Sequence, residues 1–329
     1  MNYKKAKYVG MIVVVLFVFS LASVFAGGED EKKKEGSYSV GFSLPSFEFT
    51  LFSAMQQLYM TKCKEMGVKG QVFNAQMNQE KQNKDIEDMV TAGFDAIIVC
   101  PITVEGAAPA MKYVNEKKIP LFTVDRFVSK ELGVKIISHI SVDQKEIGRM
   151  GGKVFVKGMK EKFPNAKEWI VLELEGTPGA SSAIDRSEGI NEFLSKEPKM
   201  KKLPNLAANY DTNTAVSVTE DVLTAHPELM GIIAANDMMI EGSLQALVNA
   251  NRVGKVLLVG MDGQISTVKK ILEGSIYATP TTTPLMASMA LETAVNYLNG
   301  KKVEPLIVAP SQLVAKENAQ AYLDSPLAW

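Results

Sequence analysis

Short apolar runs alternate with longer amphipathic stretches from residue 38 onward, and this alternation is the tightest constraint on the fold. The runs at 38–44, 71–74, 96–100, 121–124, 169–174, 231–235 and 256–260 are bounded by Gly, Pro or Asp. Their brevity and near-continuous apolarity suit parallel strands covered on both faces. Helical stretches are expected between them at 50–66, 79–91, 104–116, 144–159, 182–194, 214–224, 239–249 and 265–272. A further one is marked by Leu285, Met289, Leu291, Ala294 and Leu298. Strand–helix alternation of this kind builds right-handed βαβ units and parallel sheets. About eleven strands overfill one open sheet, and 329 residues suffice for two domains. The expected architecture is therefore α/β, with two doubly wound parallel-sheet lobes.

The first 26 residues follow another pattern. Lys4, Lys5 and Lys7 precede an apolar run over 9–19, interrupted only by Gly10, and the stretch ends on Val24-Phe25-Ala26. That order matches a secretory signal cleaved after Ala26. An uncleaved anchor is the alternative, because residues 9–26 at ~1.5 Å each are just long enough for a ~30 Å hydrocarbon layer. Residues 27–37, GGEDEKKKEGS, carry both charge signs and no apolar side chain, the composition of a disordered leader. Losing the three lysines of the signal, which has no acid, takes the net charge from −1 to −4. No basic stripe remains for nucleic acid. Cys63 and Cys100 are expected as free thiols rather than a bridge.

Ligands of open parallel sheets bind beyond the carboxyl ends of the strands. Asp125 and Arg126 follow PLFTV, Asn236 and Asp237 follow GIIAA, and Asp262 with Gly263 follows KVLLVGM. Each acid or amide has a plainer use as a helix N-cap, and for Asp237 the two uses weigh evenly. Arg186 sits at a helix start after the Gly-rich turn GTPGASS, where a surface ion pair with Asp185 or Glu188 is the plainer use. Its fixed fork of donors can hold two hydroxyls or a carboxylate. Phe47, Phe49 and Phe52 cluster after the first strand, and one or two of them are expected at the cleft. Asp, Asn, Arg and aromatic rings together suit a polyol better than an apolar ligand.

Several chemistries lack their motifs. There is no G-x-x-x-x-G-K-[ST], no G-x-G-x-x-G after the first strand, no G-x-S-x-G and no C-x-x-C. The two histidines, His139 and His226, have no second metal ligand at a useful spacing. His139 is expected to be structural or to lie at a hinge. No cofactor or metal is expected.

Six segments in order, IPLFTVDR, SHISVDQKEIGRMGG, LELEGTPGASSAIDRSEG, VLTAHPEL, AANDMMIEGSLQAL and LLVGMDG, carry a family likeness. The chain resembles the periplasmic ribose-type sugar-binding proteins, of type I periplasmic binding fold, from residue 38 to about residue 314. The resemblance implies two lobes joined by three crossings, near 141–143, 280–283 and 304–306. It puts 38–140 with 283–304 in the first lobe, and 141–282 with 305–329 in the second. It implies that Asp125 and Arg126 grip sugar hydroxyls, with Arg186, Asn236 and Asp262 opposite. Tyr210 and Phe52 match ring positions. SFEFTL replaces the family's Asn-Pro stretch, so Phe49 or Glu48 stands at a polar contact. Thr282 lies nearest the family's glutamine, and Cys100 stands where many relatives have asparagine. A bulkier, less amide-rich pocket follows, and pentose, hexose, polyol or a related signal molecule all remain open.

The implied function is non-enzymatic: a monomeric, periplasmic solute-binding protein that closes on its ligand and docks on an ABC permease paired with an ATPase. A chemoreceptor is a further candidate partner. An exported sugar-modifying enzyme using Asp125 and Asp262, and a purely sensory protein, are the alternatives. A repressor is excluded by an export signal in place of a DNA-binding N-terminus.

Overall fold

The computed structural model describes residues 38–329; the export signal expected at 1–26 and the leader expected at 27–37 lie outside the described residues. The first lobe opens with β1 (Ser39–Leu44), α1 (Thr50–Met66), β2 (Lys69–Asn74) and α2 (Gln79–Thr91). It continues through β3 (Ala96–Val99), α3 (Ala108–Glu116), β4 (Leu121–Val124) and β5 (Ser138–Ser141). The chain then builds α4 (Gln144–Lys162), β6 (Trp169–Glu175), α5 (Ser181–Leu194), β7 (Met200–Lys202), β8 (Leu206–Ala207) and α6 (Thr212–Ala225). Next come β9 (Gly231–Ala234), α7 (Asp237–Asn249), β10 (Leu257–Val259), α8 (Ile265–Glu273) and β11 (Ala278–Pro280). The last elements are α9 (Met286–Leu298), β12 (Leu306–Val308), β13 (Leu313–Ala315) and α10 (Ala319–Leu323).

Two sheets result. One is wholly parallel in the order β12-β5-β4-β3-β1-β2. The other runs β13-β11-β10-β9-β6-β7, with β8 beside β6. Both are covered on two faces, as continuously apolar strands require. In β1, for example, Phe42 packs on Tyr59 of α1, while the next residue back, Gly41, lies against Met89 of α2. Strands β3, β4 and β9 are buried along their whole length. Asn78, Asp143, Asp211 and Asn236 cap α2, α4, α6 and α7 with their side chains.

Three features depart from the sequence reading. The helix expected over 104–116 starts only at Ala108, after a turn, with Pro109 in its first turn. Strand β13 runs antiparallel to β11, with Leu313 opposite Pro280. Its chain enters from the first lobe at the carboxyl end of β11, so it can only run back along it. The third crossing also falls later than 304–306. Leu306–Val308 pairs with β5, Leu306 opposite His139, so these residues extend the first sheet and the passage lies at 309–312. There it pairs with the second crossing, Thr281 N–H donating to the Gln312 carbonyl.

Helices α4 and α5 approach closely enough to set part of the site. A methyl at Gly148 would run into the main chain of Arg186, and one at Gly189 into that of Lys145. Without side chains there, the helices pack backbone to backbone and bring Arg186 against Gln144.

Candidate functional site

One small cavity gathers the carboxyl ends of both sheets. The first lobe supplies Phe49, Leu51 and Phe52 from the start of α1, and Asp125 and Arg126 from the end of β4. The second supplies Ser182 and Arg186 of α5, Tyr210 before α6, Asn236 and Met238 at the start of α7, and Asp262 and Gln264 after β10. Phe49, Phe52, Asp125, Arg126, Arg186, Tyr210, Asn236 and Asp262, all singled out in the sequence, therefore line one space. Thr282 is buried outside that lining, and its N–H donates to the Asp262 carbonyl. Phe47 packs against the core instead.

The polar groups are cross-bonded. Gln144 Nε2 donates to Asp125 Oδ1 at 2.8 Å, and its Oε1 accepts from Arg186 Nε at 2.8 Å. Arg186 Nη1 also donates to Asp262 Oδ1 at 2.9 Å and to the Ala235 carbonyl. One amide thus ties the first lobe's aspartate to the second lobe's ion pair. The surface pairing open to Arg186 in the sequence is not the one it makes: its side chain is 3% exposed and bound to Asp262. Arg126 donates from Nη1 to the Ile102 carbonyl at 3.0 Å. Its guanidinium lies between the rings of Phe52, 5.3 Å away, and Tyr210, 5.2 Å away. Tyr210 is fixed by a 2.9 Å bond between its hydroxyl and Ser182 Oγ.

Asn236 has two tasks. Its Oδ1 accepts from Met239 N–H, capping α7, and its Nδ2 donates to the Tyr210 carbonyl. Asp237 has neither use weighed for it in the sequence. It points inward, accepting from Gln264 N–H at 2.8 Å and Thr279 Oγ1 at 2.8 Å. Burial pushes its carboxyl well up. Burial also raises Asp262 to about 6, against the opposing pull of Arg186. His139 accompanies Thr123 Oγ1 at 2.8 Å on β5, and burial lowers it to about 4. Cys63 and Cys100 are free and buried, the latter with its sulfur 3.9 Å from Asp125 Oδ2.

Two buried donors at the cavity have no hydrogen-bond partner, Arg126 Nε and Gln264 Nε2. Buried donors are normally satisfied, so these two are the ones a ligand oxygen would complete. Three cavity residues have a positive φ: Asp125, Tyr210 and Asp262, at 60°, 62° and 134°. Gln264, Ser182, Leu51 and Met238 were missed in the sequence. Gln264 was legible in principle, as a polar residue two positions beyond a strand-end aspartate. Nothing in the sequence marks Leu51 or Met238 apart from other core residues.

The lobes are shut. Val104 N–H donates to the Gly179 carbonyl at 2.8 Å and Phe127 N–H to Ser181 Oγ at 3.1 Å, each bond running from one lobe to the other. The cavity holds about 30 Å³, about the space of one or two waters. Admitting a larger molecule requires the lobes to part and the internal bonds to be exchanged for bonds to that molecule. A larger groove of about 1,090 Å³ lies on the second lobe, where Val256 and Ile276 line it at the amino ends of β10 and β11. Strand-end ligand sites form at the opposite ends. Among the described residues no cluster of three or more His, Cys, Asp or Glu is placed to hold a metal, and no helix is long and apolar enough to cross a membrane.

The sequence profile described as "Periplasmic binding protein domain" matches residues 40–302. The ribose import binding protein RbsB of Bacillus subtilis (strain 168) is 30% identical over 283 residues, 85% of this chain and 88% of the relative. The galactofuranose-binding protein YtfQ of Escherichia coli (strain K12) is 28% identical over 292 residues, 87% of this chain and 90% of its own. Among solved structures, an ABC transporter solute binding protein from Mycobacterium smegmatis with bound glycerol superposes with a TM-score of 0.82 at 27% identity. That match covers 89% of this chain and 99% of the other.

Proposed function

Because the chain belongs to the periplasmic binding protein domain family, we propose that it binds a small sugar or polyol between its lobes and delivers it to an ABC permease with its ATPase. The observation that carries this reading is the convergence of Asp125 and Arg126 from one lobe with Arg186, Asn236 and Asp262 from the other on a single buried cavity. Hydroxyl groups both donate and accept, so a polyol can replace the internal partners one for one. The carboxylates of Asp125 and Asp262 accept from hydroxyls, and Arg126 Nε and Gln264 Nε2 donate to ligand oxygens. The faces of Phe52 and Tyr210 cover C–H surface.

Closure follows from differential affinity: a ligand that bonds residues of both lobes favours the closed state over the open one. No covalent step is needed, and we read the protein as a non-enzymatic, monomeric binder located in the periplasm. A chemoreceptor is a second partner open to the same closed surface. Thr282 acts through Asp262 rather than by touching the ligand.

The test is a thermal-unfolding scan of residues 27–329 against pentoses, hexoses and polyols. A ligand at ~1,000 times its Kd adds about 4 kcal/mol to the state that binds it. The expected result is a rise of several degrees for one sugar, absent in Arg126→Ala and Asp262→Ala. No rise for any sugar, in protein refolded free of carried-over ligand, would overturn the reading.

A further inference from the structure

Asp262 is held in place from outside the cleft. Its φ of 134° is a conformation that a residue with a side chain keeps only when its surroundings impose it. Part of that imposition comes from the segment that follows β13. Tyr322, 3% exposed on α10, donates its hydroxyl to the Gly263 carbonyl at 2.8 Å. The main-chain oxygen of Trp329 accepts from Ile265 N–H at 2.9 Å, at the first turn of α8. The indole Nε1 of Trp329 donates to the Thr282 carbonyl at 3.2 Å, in the second crossing between the lobes. Asp262 and Thr282 are themselves joined, Thr282 N–H donating to the Asp262 carbonyl at 2.9 Å and Asp262 N–H to the Pro280 carbonyl at 2.8 Å. The turn that carries Asp262 and Gln264 and the crossing at 281–283 thus share one clasp, and neither clasping side chain lines the cavity.

We propose that Tyr322 and Trp329 are positioning residues: they fix the strained 262–264 turn to the second crossing, so that Asp262 and Gln264 keep their places in the site when the hinge moves. Their value to ligand binding rests on the cleft being the sugar site, but the clasp itself does not. Hydrogen exchange, read by mass spectrometry on the sugar-free chain, tests it independently of any ligand. Tyr322→Phe keeps the ring and removes its donor, and Trp329→Phe keeps an aromatic side chain, smaller than the indole, and removes its donor. Loss of a single hydrogen bond should speed local exchange about tenfold. In Tyr322→Phe the gain is expected in peptides covering 262–265, and in Trp329→Phe in those covering 281–283, with β6 and β9 unchanged. Unchanged exchange in both regions would overturn the proposal. So would an equal acceleration through β6 and β9, which would mean general loosening of the lobe rather than a clasp on the site.

Discussion

The two halves of the cleft are built differently. The first lobe offers three apolar side chains and one Asp–Arg sequence pair, with Arg126 stacked between rings and donating to a single carbonyl. The second lobe offers a bonded polar frame, in which Arg186 alone reaches Gln144, Ala235 and Asp262. Arg126 also faces a buried carboxylate, but at 3.9 Å from Nε to Asp125 Oδ2 it makes no hydrogen bond to it. Arg186 is hydrogen-bonded to its carboxylate at 2.9 Å and is held more tightly. The second half is therefore the preformed template, and the first half is the part that adapts to ligand shape.

That contrast is broken most severely at Arg186. Arg186→Ala leaves Asp262 buried without its partner, a change that typically costs about 3–5 kcal/mol, so denaturant unfolding should show a large loss along with loss of sugar binding. Arg126→Ala breaks the longer 3.9 Å contact to Asp125 and should cost less stability, while still abolishing binding. Next in size, Asp125→Asn and Asp262→Asn each remove a charged acceptor, and calorimetry should show affinity falling by roughly 10- to 100-fold. Smaller still is the pH effect expected at Asp262, in the second half. Asp262 is held at about 6, and hydroxyl donors favour its ionised form, so affinity should fall about tenfold from pH 7 to pH 5 and stay flat in Asp262→Asn. The stability sign is opposite. A carboxyl raised above its unfolded value contributes stability that is fully present below the unfolded value and is lost as pH rises through about 6, so the sugar-free chain should gain from this group on acidification. Least of all, Ser181→Ala removes one bond between the lobes and should weaken binding about two- to tenfold without altering sugar preference.

Much of this was legible because strand ends and cleft coincide. The apolar runs placed the central strands, and the residues just past β4, β9 and β10 placed Asp125, Arg126, Asn236 and Asp262. What stayed hidden depends on partners distant in sequence. Strands β12 and β13 are apolar but only three residues each and partly exposed, too short for their apolarity to mark them as strands. Asp237 and Asn236 are neighbours of similar type, and only the packing of Thr279 and the Gln264 amide decides which turns inward. Helices α1 and α5 follow Phe49 and Ala180, which offer no capping side chain to mark their starts, and both supply cavity residues. Gln144 was read only as part of a helix, since its amide matters through Asp125 and Arg186, elements apart in the chain.

The central claim is that one ligand is held from both lobes at once. Titration calorimetry with the sugar that stabilises the chain tests it most directly, in the unaltered protein and in Arg126→Ala and Arg186→Ala, one substitution from each half. The account predicts one sugar per chain, with affinity falling at least about 100-fold in each folded variant, in keeping with the worth of charged hydrogen bonds left unmade. Full affinity retained after either substitution would mean that the sugar sits on one lobe only, and that closure of the cleft is not what binds it.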